Sequence, residues 1–229
     1  MISIASRAGG YAVLAALCLL AGGTHSVFAQ TKAPAAAEAP APTASDMLKK
    51  LRKGGYVIYV RHTQTDSNTK DGDLTNMSDC SKQRLLSKEG QENAVKLGAA
   101  FKAAKIPVGG VVTSRFCRAK ETAKLMGFNK ATESADLDND SGEPAVNKAE
   151  SDRRGAALRK LLAKAPAKRK NTVIIGHVPN IKAAAGLDFA NMKEGEFAVF
   201  ARAKGESGFE SVGRVTQDAL QKLAQTASK

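Results

Sequence analysis

From residue 46 onward the apolar residues fall into two alternating rhythms. Short continuous runs at 56–60, 108–113 and 172–176 are rich in Val, Ile and Tyr and flanked by Gly or Pro, the pattern of strands buried on both faces. Between them apolar residues recur at helical spacing. The stretch 47–53 predicts a short helix capped by Asp46 and stopped by Gly54-Gly55. Ser87 caps a helix to about residue 104, with Ala94, Val95, Leu97, Gly98 and Phe101 on its apolar side, and Pro107 ends that unit. Further helices are predicted at 118–126, at 152–165, from a start near Pro179, and at 217–227. Runs at 197–202 and 209–215 predict an antiparallel pair at one edge. Strands interleaved with helices imply an α/β fold, a three-layer α/β/α sandwich with a mainly parallel sheet.

The first residues break this rhythm. Segment 1–29 has one basic residue, Arg7, then an apolar stretch from Tyr11 to Ala21, then small residues up to Ala29. That is the three-part layout of a secretory signal peptide, with an apolar core too short for a comfortable membrane span. Cys18 follows Leu17 and not a small residue, which argues against lipidation. Residues 30–45 are mostly Ala and Pro, an extended linker that buries no core. The expected organisation is therefore a signal peptide at 1–29, a linker at 30–45 and one domain at 46–229. The expected location is the periplasm or outside the cell, with no membrane span after processing.

Charge narrows the partners. The chain carries 35 Lys plus Arg against 22 Asp plus Glu, a formal charge of +13. Removing the leader takes away one cation, so the excess persists and favours anionic partners. Aromatics are 5% of the residues, few stacking platforms for single-stranded nucleic acid, so no specific nucleic-acid partner is expected.

Two histidines remain beyond the leader, and each ends an apolar run: Tyr56-Val-Ile-Tyr-Val-Arg-His62 and Thr172-Val-Ile-Ile-Gly-His177. A histidine just past a buried strand can project into the cleft at the strand ends, where open α/β sheets bind ligands. Arg61 offers a fork of donors matched to phosphate oxygens, and His62 an imidazole nitrogen that can attack phosphorus. Thr65 and Asn68 add neutral donors. Arg118, opening a helix after the second strand, reaches the same cleft.

Three segments together resemble the histidine phosphatase superfamily, the phosphoglycerate-mutase-like group. They are Arg61-His62-Thr63, Ser114-Arg115-Phe116-Cys117-Arg118-Ala119-Lys120-Glu121-Thr122-Ala123 and Gly176-His177, where the family has Arg-His-Gly, Ser-Pro-x-x-Arg-Ala-x-x-Thr-Ala and Gly-His. Gln83-Arg84-Leu85-Leu86-Ser87-Lys88-Glu89-Gly90 is similar to the family's Leu-Ser-x-x-Gly stretch. The resemblance implies a phosphoglycerate mutase-like fold, His62 as phosphoryl acceptor, and a phosphate pocket of Arg61, Arg118 and His177 supported by Thr65 and Asn68. It implies a phosphomonoesterase with no cofactor or metal, acting on a small phosphorylated substrate, an envelope-associated phosphate among the candidates. A phosphoglycerate-mutase-like phosphotransferase, a phosphohistidine-protein phosphatase and a catalytically silent anion-binding module are the alternatives.

Two departures stand out. Thr63 replaces Gly beside the nucleophile, narrowing the pocket or supplying a hydroxyl. Arg115 replaces Pro, either adding a cation at the pocket mouth or, the favoured reading, pointing into solvent. Val178 after His177 fits poorly with the branch whose His-Asp pair supplies the proton donor. Related enzymes draw that donor from the segment after the second helix; Asp138 is the first choice here and Asp136 the second, ahead of Glu143, Glu194 and Glu196. Cys80 and Cys117, an even pair in an oxidising compartment, are expected to form a disulfide fixing the pocket helix to the loop after His62.

Overall fold

A computed structural model of the chain describes residues 43–140 and 147–226. The leader, nearly all of the linker and Glu143 lie outside the described residues. Among the described residues six helices and six strands follow in the order α1 (Ala44–Lys53), β1 (Val57–Arg61), α2 (Lys88–Ala103), β2 (Val108–Ser114), α3 (Cys117–Leu125), β3 (Thr132–Ser134), α4 (Lys148–Ala163), β4 (Asn171–Gly176), α5 (Val178–Ala185), β5 (Phe197–Arg202), β6 (Phe209–Val215) and α6 (Gln217–Thr226). The sheet order is β3-β2-β4-β1-β5-β6. β1 to β4 run parallel, and β5 and β6 add the antiparallel edge that the sequence predicts.

Alternation within β1 explains the layers. Ile58 and Val60 face one core with Val173, Ile175, Phe197 and Val199, under Met47, Leu51, Leu97, Phe101 and Ala119. Val57 and Tyr59 face the other, with Ile174, Ala198 and Phe200 against Leu158, Leu162 and Ile181. Helices α1, α2, α3 and α6 thus cover one face and α4 and α5 the other, because the central strands offer apolar side chains to both.

The ends of the elements follow local chemistry. Ser87 caps α2 as expected, accepting from the Gly90 N–H. For α1 the cap is Thr43, and Asp46 instead sits one turn in, where its carboxylate accepts the Thr43 hydroxyl at 2.7 Å while Thr43 Oγ1 accepts the Asp46 N–H. This differs from a full capping box in that the Asp46 carboxylate takes the Thr43 hydroxyl and not its backbone N–H. Two glycines are close approaches. A Cβ on Gly90 would meet Gln64 O at 1.9 Å, and one on Gly176 would meet the Tyr59 hydroxyl at 2.4 Å. The first lets α2 press onto the loop after β1. The second lets Tyr59 donate to the backbone carbonyl of His177 at 2.8 Å, pinning the loop that follows β4.

Candidate active site

Three parallel strands deliver the chemistry at one edge of the sheet: Arg61 and His62 at the end of β1, Ser114 at the end of β2, and His177 directly after β4. The His62 and His177 rings lie 5.1 Å apart, both almost wholly buried. His62 Nδ1 is 2.9 Å from the carbonyl oxygen of Thr63. A carbonyl only accepts, so Nδ1 carries the proton and the lone pair stays on Nε2. Burial first, and the Arg118 charge next, hold the His62 imidazole well below its ordinary pKa, so it is neutral at pH 7. The ring therefore presents an unprotonated Nε2, fixed by the backbone bond of Nδ1, which can act as a nucleophile.

Arg118 is fully buried. Its Nη1 donates to Asp71 Oδ1 at 2.8 Å, and the guanidinium carbon sits 4.4 Å over the Phe116 ring. Nε and Nη2 have no protein partner. Buried guanidinium donors without acceptors are costly unless a ligand takes them, so this side chain is built for an oxyanion. Arg61 is held by the Met192 carbonyl at 2.6 Å and by Glu194 Oε1 at 3.2 Å, and the same Glu194 oxygen accepts the Thr65 hydroxyl at 3.1 Å. Glu194 also stands 4.0 Å from His62 Nδ1. His177 Nε2 is 2.9 Å from Ser114 Oγ, while its Nδ1 is buried without a partner. Burial first, and the neighbouring His62 and Arg118 next, push the His177 pKa well down. The resting pocket thus holds two neutral histidines among fixed cations, where phosphate charge is stabilised by preorganised donors.

A family model described as histidine phosphatase superfamily (branch 1) matches residues 57–142. That segment of the chain is similar to the histidine phosphatase superfamily. Among solved structures it is similar to the protein histidine phosphatase SixA complexed with tungstate, at 16% identity and a TM-score of 0.51, over 72% of this chain and 99% of that one. It is also similar to a mutant phosphoserine phosphatase from Entamoeba histolytica in complex with phosphoserine, at 13% identity and a TM-score of 0.50, over 72% and 98%. At these identities the likeness shows the shared fold. No curated protein matches the sequence.

Within this fold both departures acquire partners. Thr63 is buried, and its N–H donates to Thr122 Oγ1 at 3.2 Å. Thr122 donates its own hydroxyl to the Arg118 carbonyl at 2.8 Å, so the Thr63 hydroxyl, 3.3 Å away, donates to Thr122. The extra side chain ties the loop after His62 to α3. Arg115 does not point freely into solvent: its Nε and Nη2 fork onto Asp138 Oδ2 at 2.8 and 2.6 Å, and its N–H donates to Oδ1 at 2.9 Å. A bidentate bond to a buried carboxylate outweighs hydration of an exposed guanidinium.

Asp138 is accordingly an acceptor for Arg115 and for the Ser114 hydroxyl at 3.3 Å, which links it through Ser114 to His177. The other carboxylates are also engaged. Asp136 pairs with Arg153 on α4, and Glu196 with Arg214 on β6. Asn68 lies exposed in a turn closed by its N–H to Asp66, outside the bonded network of the pocket. Cys80 and Cys117 are bonded, as expected, joining the loop at 62–87 to the first residue of α3. Gln83 in that loop accepts the Cys117 N–H at 2.8 Å, and Asp71 accepts both the Arg84 N–H and the Arg118 guanidinium. Asp71, Arg84, Ser114 and Glu194 are the residues sequence reasoning undervalued. Burial is the main cause that lowers the pKa of Arg61, His62, Arg118 and His177, and the nearby Arg84 charge adds to it in each, placing a third cation near the pocket. Its one signal was its place before Leu85-Leu86-Ser87.

Proposed function

We propose that the chain is an exported phosphomonoesterase that works through a phosphohistidine on His62. The observation that carries this reading is the pairing of a free His62 Nε2 with the buried, unsatisfied Nε and Nη2 of Arg118. Arg61, Arg118 and Arg84 align the nonbridging oxygens, with Thr65 as the supporting donor expected from the sequence; Asn68, exposed in its turn, takes no part. Nε2 attacks phosphorus in line, the ester P–O bond breaks, and the leaving alkoxide takes a proton. His177 begins neutral and is positioned to donate or gain a proton once the phosphate's negative charge enters. Water then attacks the phosphohistidine, releasing phosphate and restoring His62. The substrate in this reading is a small phosphate ester, envelope-associated phosphates included, and no cofactor or metal takes part in these steps. The Cys80–Cys117 bond supports an oxidising, periplasmic or secreted location, with 1–29 as the signal peptide, 30–45 as the linker and 46–229 as the domain.

A second reading, a phosphohistidine-protein phosphatase, is favoured by one specific observation. Both Asp138 oxygens are taken by Arg115 and Ser114, so the first-choice acid is poorly placed to protonate a leaving alkoxide, and phosphoramidates leave with less help. A panel of an alkyl phosphate, an aryl phosphate and a phosphohistidine peptide separates the two. Turnover of the alkyl ester, slowed by Asp138→Asn, supports the monoesterase. Turnover confined to the phosphoramidate supports the second reading. Label from substrate that is trapped on the protein, stable in base and lost in acid, tests the intermediate common to both, and its absence with every active substrate overturns the proposal.

A further inference from the structure

The amino ends of the same three strands build a second concave surface. Arg52 and Lys53 at the end of α1, Lys105 and Pro107 before β2, and Lys168, Arg169 and Lys170 before β4 line a cavity of about 690 Å³. Six of its seven lining residues are cations, all exposed, and none of the six forms a salt bridge among the described residues. The catalytic residues lie at the opposite ends of these strands. The five residues of β1 at about 3.3 Å each put roughly 17 Å between the two places.

The backbone under these cations is fixed. Asn171 is fully buried, donates through Nδ2 to Leu51 O at 2.8 Å and Pro107 O at 3.0 Å, and accepts the Tyr56 N–H at 3.1 Å. One side chain thereby lashes together all three cation-bearing segments. Arg52 is pinned by its Nε to the Ala104 carbonyl at 2.8 Å.

Backbone conformation gives the second observation. Ten described residues take positive φ; eight are glycine, and the two exceptions are Lys105 at 55° and Arg169 at 59°. Glycine is the unstrained choice in that region, and this chain uses it everywhere else. Both strained positions carry a cation, and both line this cavity. Arg52 and Lys105 both sit at helix ends, Lys105 in the left-handed turn that closes α2 with the Ile106 N–H on the Phe101 carbonyl at 3.1 Å, and the helix dipole favours a cation at each; Arg169, in the turn before β4, has no such account. Strain retained where a cheaper residue exists marks a functional constraint.

We propose that this cavity is a second anion site, separate from the catalytic pocket, that binds a compact soluble oligophosphate. Its concave shape and crowded like charges fit several phosphates on one small molecule. The lining has no aromatic ring on which a base could stack, and Pro107 is its one apolar residue, which leaves nothing to enter a lipid bilayer.

Calorimetric titration of the full chain with sodium tripolyphosphate tests this, with anionic phosphatidylglycerol vesicles and a single-stranded oligonucleotide as parallel probes. An Arg118→Ala background disables phosphate capture at the catalytic pocket. In it the proposal expects saturable binding of tripolyphosphate, weakening as salt rises. Lys105→Gly with Arg169→Gly should cut that affinity at least ~tenfold while Tm stays level or rises, because strain is relieved as charge is lost. Lys168→Glu with Lys170→Glu, on ordinary backbone, should abolish it regardless of any effect of the glycines on folding. Undiminished binding in the Glu variant, loss of all binding on Arg118→Ala alone, or capture of vesicles or oligonucleotide in preference to tripolyphosphate would each overturn the proposal.

Discussion

Both ends of the parallel sheet gather cations, three at the catalytic pocket and six at the second cavity, and treat them in opposite ways. At the carboxyl ends Arg118 and Arg61 are drawn in and matched with Asp71 and Glu194, and two histidines are forced neutral beside them. At the amino ends the cations stay exposed, no carboxylate lines their cavity, and Asn171 holds the backbone with neutral hydrogen bonds. Burial with a partial counter-charge leaves directed donors for chemistry, whereas exposure leaves a diffuse field suited to capture. The carboxyl end is also the one with a covalent staple.

The largest effect should come from the nucleophile. His62→Ala is expected to lower kcat by at least ~10³, about 4 kcal/mol of barrier, and to remove the acid-labile label. Lys168→Ala at the other end should leave kcat within twofold on the same substrate. Steady-state rates of the two variants check this, and equal losses would erase the functional distinction between the ends.

Next is the staple. The Cys80–Cys117 bond has a sequence separation of 37 residues, so the chain-entropy model gives about 3–4 kcal/mol for its removal. Cys80→Ala with Cys117→Ala, followed by chemical denaturation, should show a loss of that size together with a raised KM. The enclosed loop carries Asp71, Gln83 and Arg84, which are set against α3 by this bond. Unchanged KM would mean that hydrogen bonds alone position the loop.

The amino end offers the matching test with a smaller change. Asn171→Ala removes three buried hydrogen bonds at about 1 kcal/mol each; the Leu51 and Pro107 carbonyls keep the Gly54 and Asn171 N–H groups, so the Tyr56 N–H is the group left unpaired. A loss of about 2–3 kcal/mol in denaturant stability with unchanged kcat is expected. A fall in kcat would show that the ends are mechanically coupled.

Legibility in the sequence follows the same division. The central strands and most helices were readable because their apolar runs are long and capped; β3 was not, since Thr132-Glu133-Ser134 is short, polar and at the sheet edge. The start of α1 was displaced because Ala44 and Ser45 look like the linker before them. His62, His177 and Arg118 were readable because each sits at a fixed offset from a strand. Asp71, Arg84 and Glu194 arrive on loops whose paths only tertiary packing sets, so no spacing announced them. Asp138 was chosen by position alone, and its carboxylate is engaged by Arg115, a side chain expected in solvent.

The smallest expected effect is a pH dependence confined to one end. Both histidines have pKa values pushed well below the ordinary 6.5 in the folded chain, mainly by burial. Below about pH 6.5 the unfolded chain therefore binds protons that the folded chain refuses, and stability falls as pH falls, by at most about 1.4 kcal/mol per pH unit for each histidine. Above pH 6.5 this contribution is complete and flat. Asp46, Asp73, Asp79 and Glu150 have pKa values held below their ordinary carboxylate values, so their stabilisation is lost at more acid pH, outside the window. Glu121, raised by burial, opposes the trend weakly. Denaturant midpoints between pH 7.5 and 5.5 should fall for the wild type and for Lys105→Gly with Arg169→Gly alike, because lysine and arginine do not titrate there. His62→Gln with His177→Gln should flatten the slope, and orthovanadate should also flatten it by supplying the negative charge that lets the folded pocket accept protons. A wild-type slope that survives the double glutamine substitution would place the acid-sensitive groups elsewhere and remove the neutral histidine pair from the comparison.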